Sequence, residues 1–462
     1  MYKSYQQIWI FKGINYCIQV FNITIEVSSK IILKLIFNTP VTLVVLKYYQ
    51  QREDYQMDNQ INKLLKSTRD ASQLTCAPIE EEIYFNSNGV LTLGVEIELQ
   101  LIDSKNYNLC SRATDVLSAT AHLEKIKQEF YLSTIEVTSD KCITAQEAED
   151  DLYKTIASLQ LATKNLGILF STTGSHPFSK YSDWVVSPTT RYQELIDRNQ
   201  WLTRRMSVYG LHVHIGMSSG EDCIRFNNFF MYFLPHLLAL SSSSPFWQGI
   251  DTGLASYRPT TYEALPTAGQ PYQVRTWQDF EHLYKSLKLC GSIKSLKDLW
   301  WDLRPSPGFG TLEIRVCDGA ATLSETIALV ALIHTLAHWF ADNGSWLESV
   351  AYPPYWLSRE NKWRAIRYGL DAELVMNTEG KTKLMREDIH EWFEKLKPYI
   401  KKLDYHTYFS TLKVIMDSGT SSERQRKVFA HNHCLQDIVK HNVSEFLLQT
   451  PLYRGESVIT SP

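Results

Sequence analysis

No C-x-x-C pair occurs anywhere in this chain. Its eight cysteines, at 17, 76, 110, 142, 223, 290, 317 and 434, are widely spaced. That argues against a disulfide framework or a structural zinc site, and for a reduced, cytoplasmic protein in which they pack as small hydrophobes. Basic charge is not in surplus: 47 Lys and Arg against 50 Asp and Glu leave a net charge of -3. The positive surface that nucleic acid needs is therefore not expected. Nor is there a run of roughly 18 uninterrupted apolar residues, the length of a membrane span. The most apolar stretch, from Ile8 to Tyr49, is broken by Lys12, Lys30, Lys34 and Pro40, and it is too long and lacks the small-residue cleavage site of a signal peptide. The common phosphate-binding loops are missing as well. "EGKTK" at 379–383 imitates the end of a P-loop but has Val375 where the first glycine belongs, so it reads as a turn. "GFG" at 308–310 precedes a strand and opens no helix, which excludes a dinucleotide fingerprint.

What the chain does have is enough apolar material for a sizeable core: 462 residues, 44% hydrophobic and 21% charged. Residues 1–56 differ in composition from the rest and are expected to lie outside the folded domain. Met57 opens a polar stretch that resembles an ordinary start, giving a single domain over 57–448 and a tail over 449–462. Thr144 with Glu147 and Thr322 with Glu325 form capping-box patterns ahead of helices, the second ended by Asn343 and Gly344. "ILFSTTGSHP" reads as a strand running into a loop. Residues from about 358 to 448 are mostly helical in pattern, with Ser358 placed to cap "ENKWRAIRYGL". Short alternating strands are expected at 92–102, 133–139, 211–217 and 311–317. Strands early and helices late predict an α+β fold built on an antiparallel sheet, flanked by helices.

Those strands share one peculiarity. In "TLGVEIELQLID", period-2 alternation puts Val95, Ile97, Leu99 and Leu101 on one face and Glu96, Glu98 and Gln100 on the other. A solvated face explains one such strand. It does not explain four: "STIEVTS" shows Glu136 between Thr134 and Thr138, "GLHVHIG" pairs His212 with His214, and "GTLEIRVCD" pairs Glu313 with Arg315. Glu, His and Arg between Ile, Val and Leu is a poor composition for a surface, where Lys, Thr and Ser are expected. Two carboxylates about 5–7 Å apart repel by roughly 2–3 kcal/mol at an effective dielectric near 20, so converging Glu residues call for a cation. Carboxylates with an imidazole favour Mg or Mn over zinc. Magnesium with open positions implies substrate phosphates, and Arg315 beside Glu313 suits a grip on a transferring phosphoryl oxygen.

From about residue 90 to 448 the chain resembles the type 2 glutamate–cysteine ligases, or carboxylate–amine ligases, of the glutamine-synthetase-like superfamily. The stretches that carry the likeness are "TLGVEIELQLID", "STIEVTSDKC", "GSHPF", "GLHVHIG", "SSSSPFWQGIDTGLASYRP", "DLWWDLRPSPGFGTLEIRVCD" and "ENKWRAIRYGLDA". The resemblance implies an antiparallel sheet cradling ATP and a magnesium cluster, with Glu96, Glu98, Glu136 and Glu313 as metal ligands. It favours His212 as the imidazole ligand, with His214 facing nucleotide or substrate, and adds Glu129, which precedes its strand, as a weaker candidate. Arg315 would stabilise the transferred phosphoryl group, while Arg258, Arg304, Arg364 and Arg367 would contact phosphate or substrate carboxylate. The implied reaction joins a carboxylate to an amine through an acyl phosphate, nominally glutamate to cysteine, a pair on which members of this type can be weak. Expected partners are small molecules only, with no nucleic acid or membrane and with homo-oligomerisation left open.

Two rival functions fit some of the same residues. A metal-dependent hydrolase could use H-x-H beside carboxylates to activate water, and a non-catalytic nucleotide-binding relative could keep the sheet without turnover. His334 and His338, four apart on a helix and outside any H-E-x-x-H pattern, read as packing residues. Trp300 and Trp301 read the same way.

Overall fold

A computed structural model of the protein describes residues 83–349 and 354–453, all within the compact unit 81–462. The expectations for residues 1–56 and for the start at Met57 lie outside the described residues.

The centre is a seven-stranded sheet of β1 (Leu93–Asp103), β2 (Ile126–Gln128), β3 (Thr134–Thr138), β4 (Ile168–Ser171), β5 (Leu211–Gly216), β6 (Leu303–Ser306) and β7 (Thr311–Ile314). Its order is β6-β7-β5-β1-β3-β2, with β4 also on β1, and every pair is antiparallel. β1 is long enough to serve three partners: β5 through Leu93–Ile97, β3 through Glu96–Gln100 and β4 through Gln100–Asp103. Alternation sorts the two faces. Val95, Ile97, Leu99, Ile135, Val137, Leu211, Val213, Leu312 and Ile314 are all buried in the main core, which drives the sheet onto its helices.

That apolar face is covered by α1 (Ala145–Thr163) and α3 (Leu323–Asp342), with α2 (Gly220–Ser241) packed beside α3. Thr144 and Thr322 cap α1 and α3 by accepting from the amides of Glu147 and Glu325 at 3.2 and 3.1 Å. Among the described residues α3 is the one helix long and apolar enough to cross a membrane, and 83% of its apolar window is buried within the protein. It is a core helix. His334 sits on it between the Tyr405 hydroxyl at 2.8 Å and the Leu91 carbonyl at 2.9 Å, a packing role shared by His338.

The C-terminal part is helical: α4 (Tyr355–Tyr368), α5 (Met385–Leu403), α6 (His406–Ser418), α7 (Ser421–Asn432) and α8 (Leu435–Leu448). "EGKTK" lies at the turn of a hairpin between Glu373–Val375 and Thr382–Leu384, where Gly380 has φ +85°. Two local expectations need correction. Ser358 does not cap α4: the helix begins at Tyr355 behind Pro354, whose fixed φ suits a helix start and whose missing N–H is no loss there. The last strand stops at Ile314, short of the expected 317, because the Arg315 amide turns to the carbonyl of Asp302 at 2.8 Å.

Candidate active site

Antiparallel register brings the polar alternation of separate strands onto one face. Glu98 stands opposite Glu136, which stands opposite Lys127; Glu96 stands opposite His212; His214 stands opposite Glu313, which stands opposite Arg304. Within this row, Glu96 lies 3.3 Å from both His212 Nδ1 and His214 Nε2, while Glu313 lies 4.0 and 3.9 Å from the same atoms. Glu313 is fully buried and is gripped from two sides. Arg304 donates to Oε2 at 2.8 and 2.7 Å, and Arg315 donates to Oε1.

Burial tends to raise both Glu96 and Glu313, but hydrogen bonds from the two histidines at Glu96, and the charges of Arg315 and Arg304 at Glu313, hold both well below the usual carboxylate range. The histidines part company. Burial, helped by the charge of Arg315, drives His212 down to about 4, whereas burial of His214 is outweighed by Glu313 and Glu96, which raise it. The two carboxylates that raise His214 present negative charge that a cation can neutralise.

A second acidic group adjoins the first. Burial raises Glu98, Glu129 and Glu136, Glu129 to about 7, and the repulsion each feels from its acidic neighbours adds to the effect. Glu129 follows directly on β2, so the turn there carries it to the cluster although it lies outside any strand. Glu98 is held by the Gly210 amide at 2.5 Å, and Lys127 is 3.8 Å from Glu136.

The residues fit a hard divalent cation. Glu96, His214 and Glu313 each offer a ligand atom within 4.8 Å of the others, and ligand atoms about 2.1 Å from a magnesium ion sit roughly 3–4 Å apart. The imidazole in this trio is His214, where the family resemblance favoured His212. The reason lies in the second contact of each ring. His214 Nδ1 is fixed by Thr311 Oγ1 at 2.8 Å, leaving Nε2 aimed at the carboxylates, the arrangement that orients ligating histidines. His212 spends Nδ1 on Glu96 and has a buried Nε2 with no partner.

The five arginines divide differently from expectation. Arg304 and Arg315 reach the site. Arg258 is buried with its guanidinium on the carbonyls of Arg315 and Val316, lining a cleft next to Arg315. Arg364 bonds Glu360 and the Glu373 carbonyl, and Arg367 reaches the Gly253 carbonyl, so neither is brought to the sheet face. On the same helix it is Lys362 that points inward, 2.5 Å from both Asp302 and Glu263. Sequence reasoning missed Lys362, Asp302 and Thr311. Thr311 was readable, because it shares parity with Glu313 on β7.

The description of glutamate–cysteine ligase family 2 (GCS2) matches residues 92–441. The chain belongs to this family. Proteins provisionally named glutamate–cysteine ligase 2 from Bdellovibrio bacteriovorus and Thermobifida fusca are 41% and 39% identical to it. They align over 78% and 82% of this chain and 95% and 97% of their own. Among solved structures, glutamate–cysteine ligase from Francisella tularensis in complex with AMP superposes with a TM-score of 0.56 at 14% identity, covering 78% of this chain and 90% of that one. A bifunctional glutathione synthetase from Pasteurella multocida gives 0.53 at 14%, covering 77% and 52%. At such identity these two establish a shared fold. Membership of the GCS2 family supports a carboxylate–amine ligase that uses ATP.

Proposed function

We propose that this GCS2 protein activates a substrate carboxylate with ATP to an acyl phosphate and passes it to an amine, with glutamate as donor. The observation that carries this reading is the Glu96–His214–Glu313 trio flanked by Arg304 and Arg315 on one sheet face. Glu96, His214 and Glu313 would hold a magnesium or manganese ion, with Glu98, Glu129 and Glu136 offering further carboxylates. Such an ion, when bound, supplies positive charge to the nucleotide phosphates. The donor carboxylate oxygen attacks the γ-phosphorus as the bond to ADP breaks. Burial opposes the charge on Arg315, but Glu313 raises its pKa further, so the guanidinium stays ionised and can meet the charge on the transferring phosphoryl group. The amine nitrogen then attacks the acyl carbon and phosphate leaves. No covalent enzyme intermediate is needed. Burial pushes the thiols of Cys142 and Cys317 up to about 11 and 12, so neither is a ready nucleophile.

The test is positional isotope transfer. Glutamate labelled with ¹⁸O in its side-chain carboxylate should yield ¹⁸O in the released phosphate, in a reaction that requires ATP, magnesium and an amine. Phosphate free of label, or ATP-independent turnover, would remove the acyl phosphate.

A further inference from the structure

Arg315 is held at both of its backbone groups. Its amide donates to the Asp302 carbonyl at 2.8 Å, and its carbonyl accepts from Arg258 Nη1 and Nη2 at 3.3 and 3.2 Å. These contacts set where the chain turns out of the β7 ladder, and so where the Arg315 guanidinium meets Glu313. A single ammonium ties the two holding segments together. Lys362 Nζ lies 2.5 Å from Asp302 and 2.5 Å from Glu263, the residue that follows the short helix Arg258–Tyr262. Gly269 joins the same two residues a second time: its carbonyl accepts from the Asp302 amide at 2.8 Å, and a Cβ on it would come within 2.9 Å of Glu263 Cγ.

Lys362 is 1% exposed and comes from α4, outside the sheet. With two carboxylates on it and almost no exposed surface, it has no free charge to offer a phosphate or a substrate carboxylate. Stability alone is a poor account of this triad, because a buried ion group gains little over apolar packing of the same volume. What it fixes is the spacing between the segments that grip Arg315 from either side.

We propose that Lys362 is a positioning residue for phosphoryl transfer: it clamps Asp302 and Glu263, and through them holds Arg315 where its guanidinium can meet the transferring group. The inference rests on the ligase reading above for what Arg315 does, and on the contacts alone for how Arg315 is held. The ammonium pairs with Asp302 and Glu263 and with none of the metal trio. Its loss should therefore spare binding and strike the step in which charge develops on the phosphoryl oxygens. A misplacement of about 1 Å at such a group costs on the order of 100-fold in rate.

The test pairs hydrogen exchange with ADP formation by the full chain from ATP, magnesium, glutamate and a panel of amino acids. In Lys362→Met the Arg315 amide should exchange at least about tenfold faster, while the amides of β1 keep their wild-type rates. Its kcat should fall about 10- to 100-fold, with the KM for ATP changed less than about twofold. Because Lys362 acts through Arg315, adding Lys362→Met to Arg315→Lys should lower kcat by less than about threefold more. If Lys362→Met does not fold, Lys362→Met with Asp302→Asn removes the clamp without stranding the Asp302 charge, and the same results are expected. Unchanged exchange at Arg315, or losses in kcat that multiply fully in the Lys362→Met, Arg315→Lys protein, would overturn the proposal. Faster exchange at Arg315 where the wild type forms no ADP across the panel would keep the clamp and remove the ligase reading.

Discussion

Glu98 and Glu136 face each other directly across the β1–β3 pair, Glu98 buried and Glu136 partly so, with Glu129 close enough to raise the Glu136 carboxyl further. Such an arrangement stores repulsion in the metal-free protein. Glu136→Gln should therefore raise metal-free stability by about 1 kcal/mol and reduce the stabilisation that added magnesium gives the wild type. Thermal unfolding with and without the ion checks both.

Thr311 holds the His214 ring by Nδ1 at 2.8 Å. Thr311→Val should weaken manganese binding by about 10- to 100-fold with little change in stability, and Thr311→Ser should restore it. A titration followed by the manganese resonance signal measures this.

Arg424 is buried between Glu325, in the first turn of α3, at 2.9 Å and Glu445 of α8 at 2.6 Å. Arg424→Met would leave both carboxylates buried without their cation. A loss of about 3–5 kcal/mol in denaturant unfolding is expected.

Asp388 on α5 accepts from His236 of α2 at 2.8 Å, Tyr232 at 3.0 Å and Lys383 at 2.9 Å. Burial raises its carboxyl, but His236 and Lys383 outweigh that and hold it below its usual 3.8. The stabilisation is thus complete above pH 3.8 and is lost as pH falls further toward the folded value. Asp388→Asn should cost about 2–3 kcal/mol at neutral pH, and its gap from wild type should close in acid. Unfolding curves across the acid range test the sign.

Much of the sheet face was legible because period-2 alternation is local: Glu96, Glu98, Glu136, His212, His214 and Glu313 each declare a face within their own strand. Register is not local. Which histidine completes a trio with Glu96 and Glu313 depends on how β5 lies between β1 and β7, and on a hydroxyl from Thr311. Arg315 looked like a strand residue because alternation continues past Ile314, but the Asp302 carbonyl ends the ladder there. Arg364 and Arg367 looked equal to any other basic pair on a helix. Only the packing of α4 shows that Lys362 reaches Asp302, which lines the cleft. The cleft itself joins Arg258, Trp300 and Arg315, segments whose meeting no spacing could announce.

The central claim is that acidic and imidazole groups from β1, β5 and β7 hold one divalent cation for ATP. Manganese titration of wild type and Glu313→Gln in the presence of a non-hydrolysable ATP analogue tests it most directly, with circular dichroism confirming that both are folded. Saturable binding in the wild type that weakens at least about tenfold in the variant is the predicted result. Equal affinity in the two proteins would contradict it.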